Sequence, residues 1–268
     1  VEIAWLRYLI FVLFGLTLAG RRHIVTLLPK RPALQVLRGV TLLGSAVLFI
    51  AGLNHLQMAE ASAISFVSPA FITALSVPFL GEQVGIRRWS ATLVGLLGVL
   101  IVIRPGGGAL HWAAIFPLSS AACWAIAIVA TRKMGTQDRG ETTLLWSASV
   151  GLVLLSAMLP LDFAIPSWKQ VGIGTALGTA ASTGQYLMIL AYRRAPASLL
   201  APFSYVQLIC AAVLGYLMFG SVPDAMAFVG AGVIIASGLY IVHRERVRAR
   251  DAVRMAASGR PAVAVSGS

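Results

Sequence analysis

Three features of the 268-residue sequence predict an all-helical, polytopic membrane protein. Hydrophobic residues form 58% of it and charged residues only 11%, where a soluble domain carries about 25% charged. The apolar residues gather into nine long runs, and the basic residues fall in alternate gaps between them. The first feature excludes a soluble enzyme or a large extramembrane domain. The last gives the net charge of +12 a membrane meaning, so no nucleic-acid partner is expected.

The runs cover residues 3–19, 40–56, 61–80, 89–103, 113–131, 144–161, 171–192, 198–219 and 225–242. Each is long enough, or nearly so, to cross about 30 Å of hydrocarbon as a helix. Helix rather than strand follows because lipid offers no partner to an unpaired backbone group. The first run carries a lone cation, Arg7, close to its start. The third carries Ser62, Ser65, Pro69, Thr73 and Ser76 on one stripe at spacings of three and four. The fourth and ninth are glycine-rich, with Gly95, Gly98, Gly230 and Gly232 suited to close helix contact. The fifth holds Trp124 too deep for an interfacial belt. The seventh has a second stripe, Thr175, Thr179, Ser182 and Tyr186, with Gln185 beside it and Gly174 and Gly178 elsewhere on the helix. The eighth has Tyr205 and Gln207 near mid-span. Cys123 and Cys210 lie inside apolar runs and read as core residues; no metal-ligand spacing, signal peptide or cofactor motif appears.

Gaps after odd-numbered runs, with the C-terminal tail, hold 18 of the 21 Lys and Arg residues; even-numbered gaps hold Arg104 and Lys169. This alternation is a positive-inside signal. It places the C-terminus in the cytoplasm; the expected setting is the cytoplasmic (inner) membrane, with the protein a monomer or homodimer.

Residues 59–105 and 195–244 share an Ala-x-Ala-Ser start, a proline-bearing helix, a Phe-Leu-Gly or Met-Phe-Gly end and a glycine-rich final helix. Five spans separate them, so they enter the membrane from opposite sides: an inverted repeat, the mark of alternating-access transporters. Two repeats of five need ten helices against nine runs, and the first is expected to precede Val1. The expected division is a first repeat, 1–105, without its first helix, a second, 106–243, and a basic tail, 244–268.

The stretch from Ala59 through Leu80-Gly81-Glu82, Arg87-Arg88-Trp89, Gly95-x-x-Gly98-Val99 and Arg104-Pro105 resembles the EamA repeat of the drug/metabolite transporter superfamily. Arg38-Gly39, Phe49 and Leu56-x-x-Ala59-Glu60-Ala61 fit the preceding helix. In the second half, Tyr205-Val206-Gln207-Leu208, Phe219-Gly220 and Val222-Pro223-Asp224 fit the matching repeat, with Ser221 where Glu often follows the Gly. The resemblance implies an inverted five-plus-five repeat around a central substrate cavity. Its members include transporters of riboflavin and S-adenosylmethionine and exporters of amino acids or metallophores, so it selects no substrate.

The candidate cavity residues are Ser62, Ser65, Pro69, Thr73, Trp124, Thr179, Ser182, Gln185, Tyr186, Tyr205 and Gln207, with Arg7, His55 and Glu60 as gate or coupling residues. Each has a structural alternative. The hydroxyl stripes serve a cavity or helix–helix hydrogen bonds, and Pro69 a kink or an exposed carbonyl. Trp124 is core or a stacking surface; Arg7 snorkels or pairs inside the bundle; Glu60 favours a helix start or gates. No Asp or Glu sits at mid-membrane in any run, so no central carboxylate relay is expected. Hydroxyl, amide and aromatic groups suit a neutral or zwitterionic small molecule with a flat part.

A secondary transporter for a small metabolite is therefore the leading function. An exporter of drugs or amino acids is the alternative within the superfamily. A membrane-embedded lipid-modifying enzyme would need convergent catalytic residues, and His23, His55, His111 and His243 share neither end nor spacing.

Overall fold

The structure, a computed structural model, describes residues 2–20, 28–103, 112–135, 137–158, 168–219, 228–237 and 239–240; among these all regular structure is helical. The Arg104-Pro105, Gly220 and Val222-Pro223-Asp224 motif positions, Ser221, His23, His111, His243 and the tail lie outside the described residues.

Helix α1 spans Glu2–Ala19. Helix α2, Pro32–Leu53, opens on a proline, tolerated in a first turn whose N–H groups lack intrahelical partners anyway. It begins at Pro32 rather than at Val40, where the apolar run starts, so Gln35 and Arg38 belong to the helix and not to a loop. The third apolar run is split into α3, Met58–Ser65, and α4, Ser68–Leu80. Pro69 has no N–H to return to the Ser65 carbonyl, so the first helix stops and a new one begins with proline in its first turn. Gly81, at φ 67°, closes α4 in the left-handed region that glycine enters without strain.

Helix α5 is Ile86–Ile103; α6, Ile115–Met134, follows a 3-10 turn at Trp112–Ala114; α7 is Gly140–Met158 and α8 Trp168–Arg194. The eighth run is also split: a single turn α9, Ala197–Leu200, a 3-10 segment Ala201–Tyr205 containing Pro202, then α10, Val206–Phe219. Phe228–Ser237 forms α11.

Among the described residues four stretches, Pro32–Leu53, Glu60–Leu80, Trp112–Met134 and Gly140–Ala157, are long and apolar enough to cross a bilayer; Ala4–Ala19, Ala197–Cys210 and Phe228–Ser237 are shorter apolar helices. Large apolar side chains such as Leu13, Ile50, Leu97, Val153, Leu177 and Leu217 are exposed, as lipid-facing positions require. The protein is a multi-pass membrane protein.

Packing relies on small residues. Helix α2 lies along α6, and α1 against α7 and α8. A Cβ added at Gly151 would strike the Tyr8 ring, and Gly174 and Gly178 receive Leu6 and Ile10. A Cβ at Gly95 would lie 2.5 Å from the Tyr205 ring, and one at Gly98 would crowd Ile234 and the Gly230 carbonyl. Such backbone approach replaces the hydrophobic drive that lipid cannot supply.

Candidate functional site

The helices line a partly open cavity of about 630 Å³, within the range of small-molecule sites. It is walled from both halves of the sequence. Helices α1 and α2 supply Arg7, Phe11, Arg38, Ser45 and Phe49, and the first break supplies Ser62, Ser65, Phe66 and Ser68. Helices α6 and α7 supply Ser120, Trp124 and Ser147; α8 supplies Gln185, and the second break Phe203, Ser204 and Gln207. Both interrupted helices thus put their breaks into the wall, where irregular backbone is tolerated at membrane depth.

Six residues singled out from the sequence line this space: Ser62, Ser65, Trp124, Gln185, Gln207 and Arg7. The others do not, for identifiable reasons. Pro69 is buried in the first turn of α4, and Thr73, fully buried, donates its hydroxyl to the Pro69 carbonyl at 2.8 Å. Thr179 is exposed on the outer face of α8 and donates to the Thr175 carbonyl, while buried Ser182 donates to the Gly178 carbonyl at 2.6 Å. Tyr186 packs over Gly140. Tyr205 has no exposed surface: its ring fills the notch at Gly95 and its hydroxyl donates to the Thr92 carbonyl at 3.2 Å. His55 is exposed and sits 5.0 Å from Trp112 and 6.1 Å from Phe116, ring centre to ring centre, at the end of the bundle away from Arg132 and Arg193. Glu60 is buried in the first turn of α3, outside the cavity lining.

The sequence reading missed Arg38. Its side chain is 1% exposed yet reaches the cavity wall. Nε donates to Thr131 Oγ1 at 2.7 Å and Nη1 to Ser147 Oγ. Each hydroxyl passes its own proton to its helix, Thr131 to the Ala127 carbonyl and Ser147 to the Thr143 carbonyl, leaving lone pairs for the guanidinium. All these partners are neutral, whereas a buried cation ordinarily demands a counter-charge, since desolvating it costs several kcal/mol. The signal that could have found it was the Gln35-x-x-Arg38 spacing, one helical turn ahead of the apolar run.

Beside it, the Gln35 amide donates to Asp138 Oδ2 at 2.8 Å, and Asp138 Oδ1 accepts the Lys30 backbone N–H at 2.8 Å, tying the start of α2 to the α6–α7 turn. Within the cavity wall, Ser120 donates to the Ser45 carbonyl at 2.7 Å, joining α6 to α2. Two polar groups of the wall stand buried without a partner: Arg7 Nε and Ser65 Oγ. The Arg7 guanidinium lies 5.6 Å from the centre of the Tyr8 ring, within cation–π range.

A second polar cluster lies at the end of the bundle where Arg132 and Arg193 stand. Glu82, just beyond α4, accepts the Ala197 N–H at 2.7 Å, the Ser198 N–H at 3.0 Å and the Ser198 hydroxyl at 2.6 Å. It thereby caps α9 from the other half of the sequence. Arg132 Nε lies 3.9 Å from the same carboxylate, Arg88 donates to Ser198 Oγ, and Arg193 donates to the Gly135 carbonyl. No group of three or more His, Cys, Asp or Glu able to hold a metal occurs among the described residues.

Comparison with known proteins agrees with this architecture. Residues 1–104 and 111–243 each match the EamA-like transporter family. The riboflavin transporter of Rhizobium johnstonii is 30% identical over 252 residues, 92% of this chain and 82% of that one. The S-adenosylmethionine uptake transporter of Rickettsia bellii is 27% identical, over 82% of this chain and 76% of its own. A solved crystal structure shares the fold at a TM-score of 0.77 over 88% of this chain and 84% of that one, at 18% identity. Two family matches in tandem, a relative aligned nearly end to end and a shared helical fold leave one conclusion: the chain belongs to the EamA-like transporter family.

Proposed function

We propose that the protein is a secondary transporter that moves a small metabolite across the cytoplasmic membrane by alternating access between two inverted repeats, with the central cavity as its substrate site. The observation that carries this reading is the cavity itself: about 630 Å³, walled by both halves, with Arg7 Nε and Ser65 Oγ buried in it without protein partners. A buried polar group left unsatisfied costs about 1–3 kcal/mol, and a ligand group arriving there recovers that cost. Trp124 and Phe203 provide flat apolar surface beside them. The names of the two relatives, transporters of riboflavin and S-adenosylmethionine, support a metabolite of this size with a planar ring system.

In this reading the basic helix ends, with Arg87, Arg132, Lys133, Arg193 and Arg194, face the cytoplasm. The Glu82–α9 link is then a cytoplasmic latch between the repeats, and the cluster of His55, Trp112 and Phe116 lies at the opposite surface.

The test is uptake and efflux of labelled riboflavin, S-adenosylmethionine and a wider metabolite panel in proteoliposomes, with and without a proton gradient. The expected result is saturable movement of one compound class, reduced at least fivefold by Trp124→Ala with protein level unchanged. A cysteine at Gln83 should react with a membrane-impermeant thiol reagent from the cytoplasmic side only. Failure to move any compound in either direction would refute the transport reading, and labelling of Gln83 from outside would reverse the orientation.

A further inference from the structure

Two of the cavity's wall residues, Arg7 and Arg38, are permanently charged, and among the described residues no lining residue is acidic. The helix boundary changes the chemistry here: with Arg38 assigned to a loop the lining holds Arg7 alone, and with α2 starting at Pro32 it carries two positive charges. Neither guanidinium pairs with a carboxylate among the described residues. The hydrogen-bond partners of Arg38 are two hydroxyls and a carbonyl, Arg7 Nε has no hydrogen bond, and Asp138, the acid nearest in the network, is engaged by Gln35 and the Lys30 N–H. Two like charges facing one low-dielectric space repel each other as well as paying for lost hydration. Both terms are relieved by an anion in the cavity, and the planar guanidinium suits the paired oxygens of a carboxylate or phosphate. A bare inorganic ion would leave most of about 630 Å³, and the faces of Phe11, Phe66, Trp124 and Phe203, without a partner.

We infer that the transported compound is an organic anion: a carboxylate or phosphate bound by Arg7 and Arg38, attached to a flat or apolar body that lies against Trp124 and its neighbouring phenylalanines. This rests on the transporter reading and narrows its substrate class. Ser65 Oγ, also unpartnered, is placed to donate to the same anionic group or to a polar edge of the body.

The experiment uses the full chain and probes matched in shape but not in charge: indole-3-acetate, indole-3-acetamide and tryptamine, together with flavin mononucleotide and riboflavin. Binding is read as protection against thermal unfolding of the detergent-purified protein, and transport in phosphatidylcholine proteoliposomes. The expected result is at least tenfold tighter binding of the anion than of its neutral partner, with no binding of the cation. Arg38→Gln should reduce that preference to near unity, and Arg38→Lys should retain most of it. Because Arg38→Gln removes hydroxyl contacts and can lower the yield of folded protein, Arg7→Gln is the second variant: its guanidinium gives up only its contact with Tyr8, and the preference should fall at least threefold. Equal binding of anion and amide overturns the inference, as does a preference that survives both Gln variants, or protection by chloride alone equal to that by the organic anion. Transport of neutral riboflavin, unchanged in Arg7→Gln and Arg38→Gln, leaves the transporter reading standing while this one falls. No binding and no transport of any probe removes both.

Discussion

The two interrupted helices do similar work with different support. In α3–α4 the break at Phe66-Val67 opens beside Ser65, whose hydroxyl has no partner, and the start of α3 has no side-chain cap at Gln57. In α9–α10 the break at Ala201–Tyr205 is held at both ends. Glu82 caps α9 from the other half of the chain, and Tyr205 is wedged into the notch at Gly95. The first break thus leaves a cavity-wall hydroxyl unpartnered, while the second, which also lines the cavity through Phe203 and Ser204, is fastened to the other half of the chain.

The largest expected effect comes from removing the fastening. Glu82→Ala deletes three hydrogen bonds to a carboxylate, in a class worth about 1.5–3 kcal/mol apiece before water replaces part of the loss. Transport in proteoliposomes should drop at least thirtyfold. Trp112→Ala at the opposite surface, where the contacts are aromatic and the side chain is 63% exposed, should cost less than threefold. Equal losses would mean that the two ends are held alike. Next is the wedge. Gly95→Val puts a branched side chain where even a Cβ would lie 2.5 Å from the Tyr205 ring, and overpacking of this kind costs about 1–3 kcal/mol. The melting temperature should fall by several degrees, whereas Gly232→Val, with nothing within 4 Å of its Cβ, should leave it unchanged. The smallest effect separates the breaks most cleanly. Ser65→Ala removes a hydroxyl with no protein partner, so thermal stability should hold while substrate affinity falls about fivefold, or about 1 kcal/mol. A drop in stability with unaltered affinity would assign Ser65 to packing.

Run length and charge alternation made the helices legible from sequence, because lipid imposes both directly. The breaks were less so: Pro69 and Pro202 marked their neighbourhoods, but an unbroken apolar run conceals where one helix stops and the next starts. Hydroxyl stripes left cavity and packing open for a physical reason. Thr175, Thr179 and Ser182 each give their proton to the carbonyl four residues back, so they need no further partner and can face lipid or packed helix as readily as water. Arg38 was illegible because its hydroxyl partners, Thr131 and Ser147, come from helices about a hundred residues away in sequence, and Gln35 beside it made the helix start look like a polar connection.

Where the first copy of the pattern has Glu82, the second has Ser221. Two equal carboxylate clasps, one at each face, would give the protein two conformations of matched energy. On the proposed transport cycle, a Glu82 clasp without an equal counterpart would hold the unloaded protein mostly in the orientation that keeps it fastened, and every 1.4 kcal/mol of that bias is a factor of ten in occupancy. The same cavity then presents different apparent affinities to the two compartments, because a ligand arriving at the rarer orientation is charged for its scarcity. Net flux at equal concentrations stays zero, as thermodynamics requires, but half-saturation from the two sides need not match. On that reading, the asymmetry traces to Glu82 in the first copy and Ser221 at the matching place in the second.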